Sequence, residues 1–190
     1  MIMKELGSVS LYRGTQFSIM EPDKKDVEII DIAHALSNIC RFNGHSKFFY
    51  SVAQHSLAVW EMVHNAELGT LMELHALLHD AQEYLVFDLQ TPFKACISGY
   101  KEIEARIERT IYEAYDIPLP TEEERAIIKE YDRKALYVEA KNLMMGYKSM
   151  SNVKVYEGVD YPIVRKDMEE VKTEYFWRFY TLFWEYGQAC

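Results

Sequence analysis

The sequence predicts an all-α bundle with a short N-terminal β-hairpin, folded as a single domain over residues 1–190. Three observations predict it. Apolar residues recur at three- and four-residue spacing from about position 26 onward, which is the helical period. Strand-like patterning is confined to residues 7–21. A chain of 190 residues that is 49% apolar is long enough for one full core, and no repeat or linker divides it.

In residues 7–21, β-branched and aromatic side chains surround Arg13-Gly14, the pattern of a hairpin that Pro22 ends. Val27, Ile30, Ala33 and Leu36 then mark a helix starting near Asp26, and Gly44 breaks the chain after it. The next helix is predicted over 49–64, carried by Val52, Leu57, Trp60 and Val63. A third begins at Gly69-Thr70, presents Leu71, Leu74, Leu77 and Leu78, and runs out in the segment 86–92. Amphipathic helices are predicted over 101–115 and 121–145, separated by Pro118-Leu119-Pro120. The second opens on Thr121-Glu122-Glu123-Glu124, a capping-box pattern. Residues 146–161 read as irregular and 167–186 as a closing helix, so the motifs discussed below fall within 26–145.

That closing helix carries Tyr175, Phe176, Trp177, Phe179, Tyr180, Phe183, Trp184 and Tyr186, which surround it on all faces. Two readings fit. The rings pack into the core of one subunit, or the outer ones meet a second copy, because large aromatic patches are seldom left in water.

Charge narrows the function. Lys and Arg number 21 against 30 Asp and Glu, and the net charge of −9 repels nucleic-acid polymers and anionic membranes. A small phosphorylated ligand can still bind where basic residues cluster. Cys40, Cys96 and Cys190 show no CxxC spacing and cannot all pair, which suits a reducing compartment. Met1-Ile2-Met3-Lys4 starts no secretory signal, and no uncharged stretch reaches the length of a membrane helix. The expected location is the cytoplasm.

All six histidines, His34, His45, His55, His64, His75 and His79, fall between positions 34 and 79. His79-Asp80 follows Leu77-Leu78 at the end of an apolar helix, where a carboxylate is costly unless something positive compensates it. A divalent metal would do so. Glu83 lies one helical turn after His79, placed to act on water at a metal without binding the ion. His55, inside another apolar helix, can supply a second imidazole, and Asp132 is the best candidate for a ligand from a distant helix. Two imidazoles and two carboxylates suit Mn, Co, Ni, Fe or Mg with open positions better than tetrahedral structural zinc. A rival site pairs His75 with His79, four residues apart, as a zinc clamp. Ala76 after His75 rules out the His-Glu-x-x-His metalloprotease order. His34 and His64 read as structural or exposed.

These residues resemble a known family. His55, His79-Asp80 and Asp132, in that order on successive helices, look like the H…HD…D signature of the HD-domain metal-dependent phosphohydrolases. The run from His79-Asp80-Ala81-Gln82-Glu83 through Asp88-Leu89-Gln90-Thr91-Pro92-Phe93-Lys94 resembles the H-D-A-x-E…D-L-x-T-P-x-K stretch of bacterial 5′-deoxynucleotidases. Arg41-Phe42 resembles that subgroup's Arg-Trp pair. Residues 31–45, followed by Tyr50-Ser51-Val52-Ala53-Gln54-His55-Ser56, look most like the compact phage branch, which includes dATP triphosphohydrolases of phages that replace adenine by 2-aminoadenine. The likeness covers about residues 7–145.

The resemblance implies an HD-domain helical bundle in which His55, His79, Asp80 and Asp132 hold one divalent ion, Co, Mn, Zn, Ni, Fe or Mg. Glu83 would position or deprotonate the attacking water. Arg41 and Lys94 would bind phosphate, Asp88 the 3′-hydroxyl of deoxyribose, and Phe42 the sugar or base. From their charge and their nearness to Arg41 in the sequence, His45 and Lys47 are expected to reach further phosphates, with additional Mg on a triphosphate. The implied activity is hydrolysis of dATP to deoxyadenosine and triphosphate, which depletes the dATP pool. The alternative is 5′-deoxynucleotidase action on deoxynucleoside monophosphates. Resemblance also implies a homo-oligomer, a dimer or hexamer. Two readings from other classes are a two-iron oxygenase, with His45 or His75 as extra ligands, and a non-catalytic helical adaptor.

Overall fold

A computed structural model describes residues 7–151 and 153–189 of the chain. Cys190 and the start of the chain, on which two expectations above rest, lie outside the described residues. The fold is all-α with one two-stranded antiparallel hairpin. Strands β1 (Ser8–Ser10) and β2 (Gln16–Ser18) pair with Val9 opposite Phe17, and Phe17 is fully buried. Arg13 in the turn pins the hairpin to the helical body. Its Nε lies 3.2 Å from Oδ2 of the buried Asp31, and its backbone N–H donates to Oδ1 at 3.0 Å.

The helices follow in order: α1 (Ile29–Asn38), α2 (Val52–His64), α3 (Thr70–Leu78), α4 (Glu83–Val86), α5 (Thr91–Cys96), α6 (Tyr100–Ala114), α7 (Glu122–Leu143) and α8 (Met168–Ala189). α1 packs on α2 and α8, α3 packs on α2 and α8, and α7 packs on α2 and α3. α2 is therefore central, and ten of its side chains are buried. Among the described residues, no helix is long and apolar enough to cross a membrane.

Local chemistry sets the boundaries. α2 begins at Val52 rather than at 49, because Ser51 caps it in a reciprocal box with Gln54. The predicted box at Thr121 is present, with Glu124 returning the bond, and it starts α7. The predicted first helix starts later than Asp26, since residues 24–26 form a separate 3-10 turn and the buried Val27 precedes α1. The third predicted helix divides into α3 and α4 across the turn 79–82. Thr91-Pro92, at the end of the segment in which the third predicted helix runs out, opens α5 instead, a position where proline's missing N–H costs nothing.

α8 divides its aromatics between two environments. Val171, Tyr175, Phe179 and Leu182 are buried, with Phe179 packed against Tyr115 and Phe183. Trp177 and Trp184 are 62% and 66% exposed. Arg178 lays its guanidinium 3.7 Å from the Trp60 ring centre, joining α8 to α2.

Candidate metal centre

The site forms where the start of α2, the end of α3 and the middle of α7 meet. The capping box at Ser51-Gln54 fixes the first turn of α2 and with it His55, which is completely buried. The turn after α3 places His79 and Asp80 beside it. Nε2 of His79 stands 3.2 Å from Nε2 of His55 and 3.1 Å from Oδ2 of Asp80. His55 Nε2 lies 3.6 Å from Asp80 Oδ2 and 3.2 Å from Asp132 Oδ1 on α7. His55, His79 and Asp80 each offer a ligand atom within 4.8 Å of the others, so this group can hold a metal ion.

The hydrogen bonds on the far side of each ring support that capacity. His55 Nδ1 donates to Glu139 Oε1 at 2.7 Å, and His79 Nδ1 donates to the Ala76 carbonyl at 2.8 Å. In a neutral imidazole whose Nδ1 carries the proton, Nε2 holds a lone pair. Two such lone pairs and two carboxylates then converge, and apart from Lys129, which donates to the outer oxygen of Asp132, no donor among the described residues serves them, a set that a cation or a proton would stabilise. The residues fit a divalent ion with mixed nitrogen and oxygen ligands.

The electrostatics agree. Burial and Arg41 push the His55 imidazole down, but Glu139 and Asp132 outweigh them and lift it to about 10. Burial pushes Asp80 up, and His79 and His55 reverse this and hold it below the usual carboxylate range. Asp132 is likewise held low, by His55 against its own burial.

Glu83 opens α4 and is buried. Its Oε1 accepts from Lys94 Nζ at 3.3 Å, whereas its Oε2 is buried with no hydrogen-bond partner. Burial, then Asp80 and Asp88, push this carboxyl well above the ordinary glutamate value. Lys94 reaches back from α5 and also donates to Glu104 on α6 at 2.8 Å. Burial disfavours its charge, and these acids restore it.

Arg41 reaches the site through an isolated bridge between Cys40 and Ser51, which sets it beside the start of α2. The Arg41 N–H donates to Tyr50 O at 2.8 Å. Its buried guanidinium contacts Glu139 at 3.1 Å and Asp88 at 3.5 Å. Phe87, with a left-handed φ of 66°, ends α4 and turns the chain toward Asp88.

The structure thus brings together His55, His79, Asp80, Asp132, Glu83, Arg41, Asp88 and Lys94. It does not bring in His45 or Lys47. Both are exposed, and Lys47 donates to Asn142 O, about 15 Å along α7 from Asp132. Phe42 takes φ 56° and packs with Tyr50 and Leu143 in the core beneath Arg41. The His75–His79 clamp is not formed, because both nitrogens of His79 are committed to the cluster and to Ala76 O. His75 is buried, with neither ring nitrogen hydrogen-bonded, and burial pushes it down to about 4. His34 stacks on Tyr12, and His64 bonds Glu73, so both are structural. Beside Asp80 and Asp132 lies a cavity of about 180 Å³, with His75, Arg125 and Lys129 on its wall.

Sequence reasoning missed Glu139. Its signal was its spacing, seven residues after Asp132 and so on one face of α7 with the buried Ala135.

No protein-family model matches the chain. It is 36% identical over 159 residues to an uncharacterized protein of Rhodobacter capsulatus, an alignment covering 80% of each chain. It is 38% identical over 110 residues to the uncharacterized protein YfdR of Escherichia coli K12, covering 58% of this chain and 59% of that relative. The chain belongs to the family of the Rhodobacter capsulatus protein.

Proposed function

We propose that this protein is a metal-dependent deoxynucleotide phosphohydrolase of the HD-domain type, with dATP as its preferred substrate. The observation that carries the reading is Glu83. A buried carboxylate with one oxygen bonded to Lys94 and the other unpartnered, within electrostatic reach of Asp80, is built to take a water molecule. Burial, Asp80 and Asp88 raise its affinity for protons, the direction that makes a carboxylate a stronger general base.

His55, His79, Asp80 and Asp132 would hold the ion. A divalent ion there supplies Lewis acidity, drawing charge from a phosphoryl oxygen and acidifying water. Glu83 orients the water and accepts its proton at Oε2. Arg41 and Lys94 offset the negative charge that grows on the phosphoryl oxygens during displacement. Asp88, beside Arg41, accepts from the 3′-hydroxyl of the sugar. Water adds to the α-phosphorus, the bond to the 5′-oxygen breaks, and that oxygen takes a proton to leave as the nucleoside hydroxyl. The cavity beside Asp80 and Asp132 offers room for phosphates beyond the α position. Its cations Arg125 and Lys129 are paired with Glu108 and Asp132, so the preference for the triphosphate rests on the likeness of residues 31–45 to the triphosphohydrolase branch.

The test is incubation with Co²⁺ or Mn²⁺ and equal amounts of dATP, dGTP, dAMP and ATP, separating nucleosides and distinguishing phosphate from triphosphate. Deoxyadenosine plus triphosphate from dATP is expected. Phosphate from dAMP would make the protein a 5′-deoxynucleotidase, and absence of any nucleoside would end the hydrolase reading.

A further inference from the structure

One fully buried acid joins the two halves of the site and has no part in the reaction described above. Glu139 divides its two oxygens between different partners: Oε1 accepts from His55 Nδ1 at 2.7 Å, and Oε2 accepts from Arg41 at 3.1 Å. A carboxylate in that position is costly unless both oxygens are satisfied, and here both are. It lies on the same face of α7 as Asp132, seven residues on. One helix therefore addresses both nitrogens of one imidazole, with Asp132 at Nε2 and Glu139 at Nδ1.

We infer that Glu139 is a positioning residue that couples the metal-holding imidazole of His55 to the phosphate-binding guanidinium of Arg41. The arginine half of this rests on the proposed hydrolase reading, and the imidazole half on the geometry of the cluster alone. Accepting from Nδ1–H fixes the ring in the tautomer whose Nε2 lone pair faces the cluster, and a carboxylate partner makes that nitrogen a better ligand. Arg41 is the opposing influence. A buried guanidinium this near the cluster disfavours any second positive charge at His55, a proton or a metal ion alike. Glu139 bonds both groups and cancels that repulsion. It also holds the guanidinium with another nitrogen toward Asp88, 3.5 Å away. The arginine thus stays charged and oriented without driving the ion from its ligand.

Glu139→Gln tests this, because glutamine keeps the shape and can still accept from His55, but turns an N–H₂ donor toward Arg41 and removes the charge. Co²⁺ affinity, measured by competition with a chelator on protein shown to be folded by circular dichroism, should fall about 10- to 100-fold. At saturating metal, kcat should recover while KM for the nucleotide stays raised. Arg41→Met leaves the His55 bond intact and removes the opposing charge, so its metal affinity should be no weaker than that of wild type while KM rises. If Glu139→Gln does not fold, the double variant Arg41→Met, Glu139→Gln removes the stranded guanidinium and should still bind metal weakly. Wild-type metal affinity in either Glu139 variant would overturn the inference. Failure of the wild type to release nucleoside while it binds metal would count against the hydrolase reading, and the affinity comparison would still decide the role of Glu139 at His55.

Discussion

The Nε2 atoms of His55 and His79 face each other across 3.2 Å while each ring's Nδ1 is engaged elsewhere, on Glu139 and on the Ala76 carbonyl. Two neutral rings so arranged repel. Without a metal the protein resolves this with a proton, since Glu139 and Asp132, against burial and Arg41, lift His55 to about 10. At pH 7 the metal-free site is therefore protonated, and a divalent ion must displace that proton. Binding should release about one proton, and affinity should rise about tenfold per pH unit until pH nears 10. Calorimetry in buffers of different ionisation enthalpy measures the count, and a pH-independent affinity would contradict it.

Glu83 and Asp80 should separate chemistry from binding. Glu83 lies outside the ligand cluster, so Glu83→Gln should keep the metal and lose turnover by about 10²- to 10⁴-fold. Asp80→Ala should lose both. Because burial and the neighbouring Asp80 and Asp88 raise the Glu83 carboxyl, the base is neutralised at a higher pH than an ordinary glutamate. Wild-type turnover should fall on acidification from that higher pH. Metal analysis beside initial rates checks each outcome.

His75 is buried without a hydrogen-bond partner and is pushed down to about 4 by its burial. The unfolded chain holds a proton on this ring below about pH 6.5, and the folded chain does so only near 4. The stabilisation is full above 6.5 and is lost as pH falls toward 4, on the order of 3 kcal/mol in all. His75→Leu should flatten that part of the stability profile in metal-free protein. Parallel denaturation profiles for variant and wild type would refute it.

Phe179 anchors α8 to the body of the fold, fully buried between Tyr115 and Phe183. Phe179→Ala should cost about 3–5 kcal/mol, because the cavity it leaves is walled by large rings that cannot collapse into it. Urea denaturation reads this, and a loss below about 1 kcal/mol would mean that α8 is a detachable appendage.

The cluster was legible because its residue types are conspicuous where they stand. His55 and His79-Asp80 interrupt apolar helices, and such groups in such places need a partner. Glu139 was not legible, since a single acid in α7 reads as a solvated charge until the burial of Ala135, Val138 and Leu143 shows which face it shares. The packing of Phe42 against Tyr50 and Leu143 was not legible, because sequence adjacency to Arg41 says nothing of a left-handed backbone that turns the ring inward. The long helices, unlike the short α4 and α5, were found by their period. Their ends were set by finer chemistry, such as the Ser51 cap and the turn 79–82, which neither Gly nor Pro marks.

The most direct test of the central claim follows dATP with metal-loaded wild type and metal-loaded Glu83→Gln side by side, quantifying deoxyadenosine and triphosphate. The account predicts equal molar amounts of both products from the wild type and a rate lower by about 10²-fold or more from the variant. Equal rates from the two proteins, or no deoxyadenosine from the wild type, would contradict it.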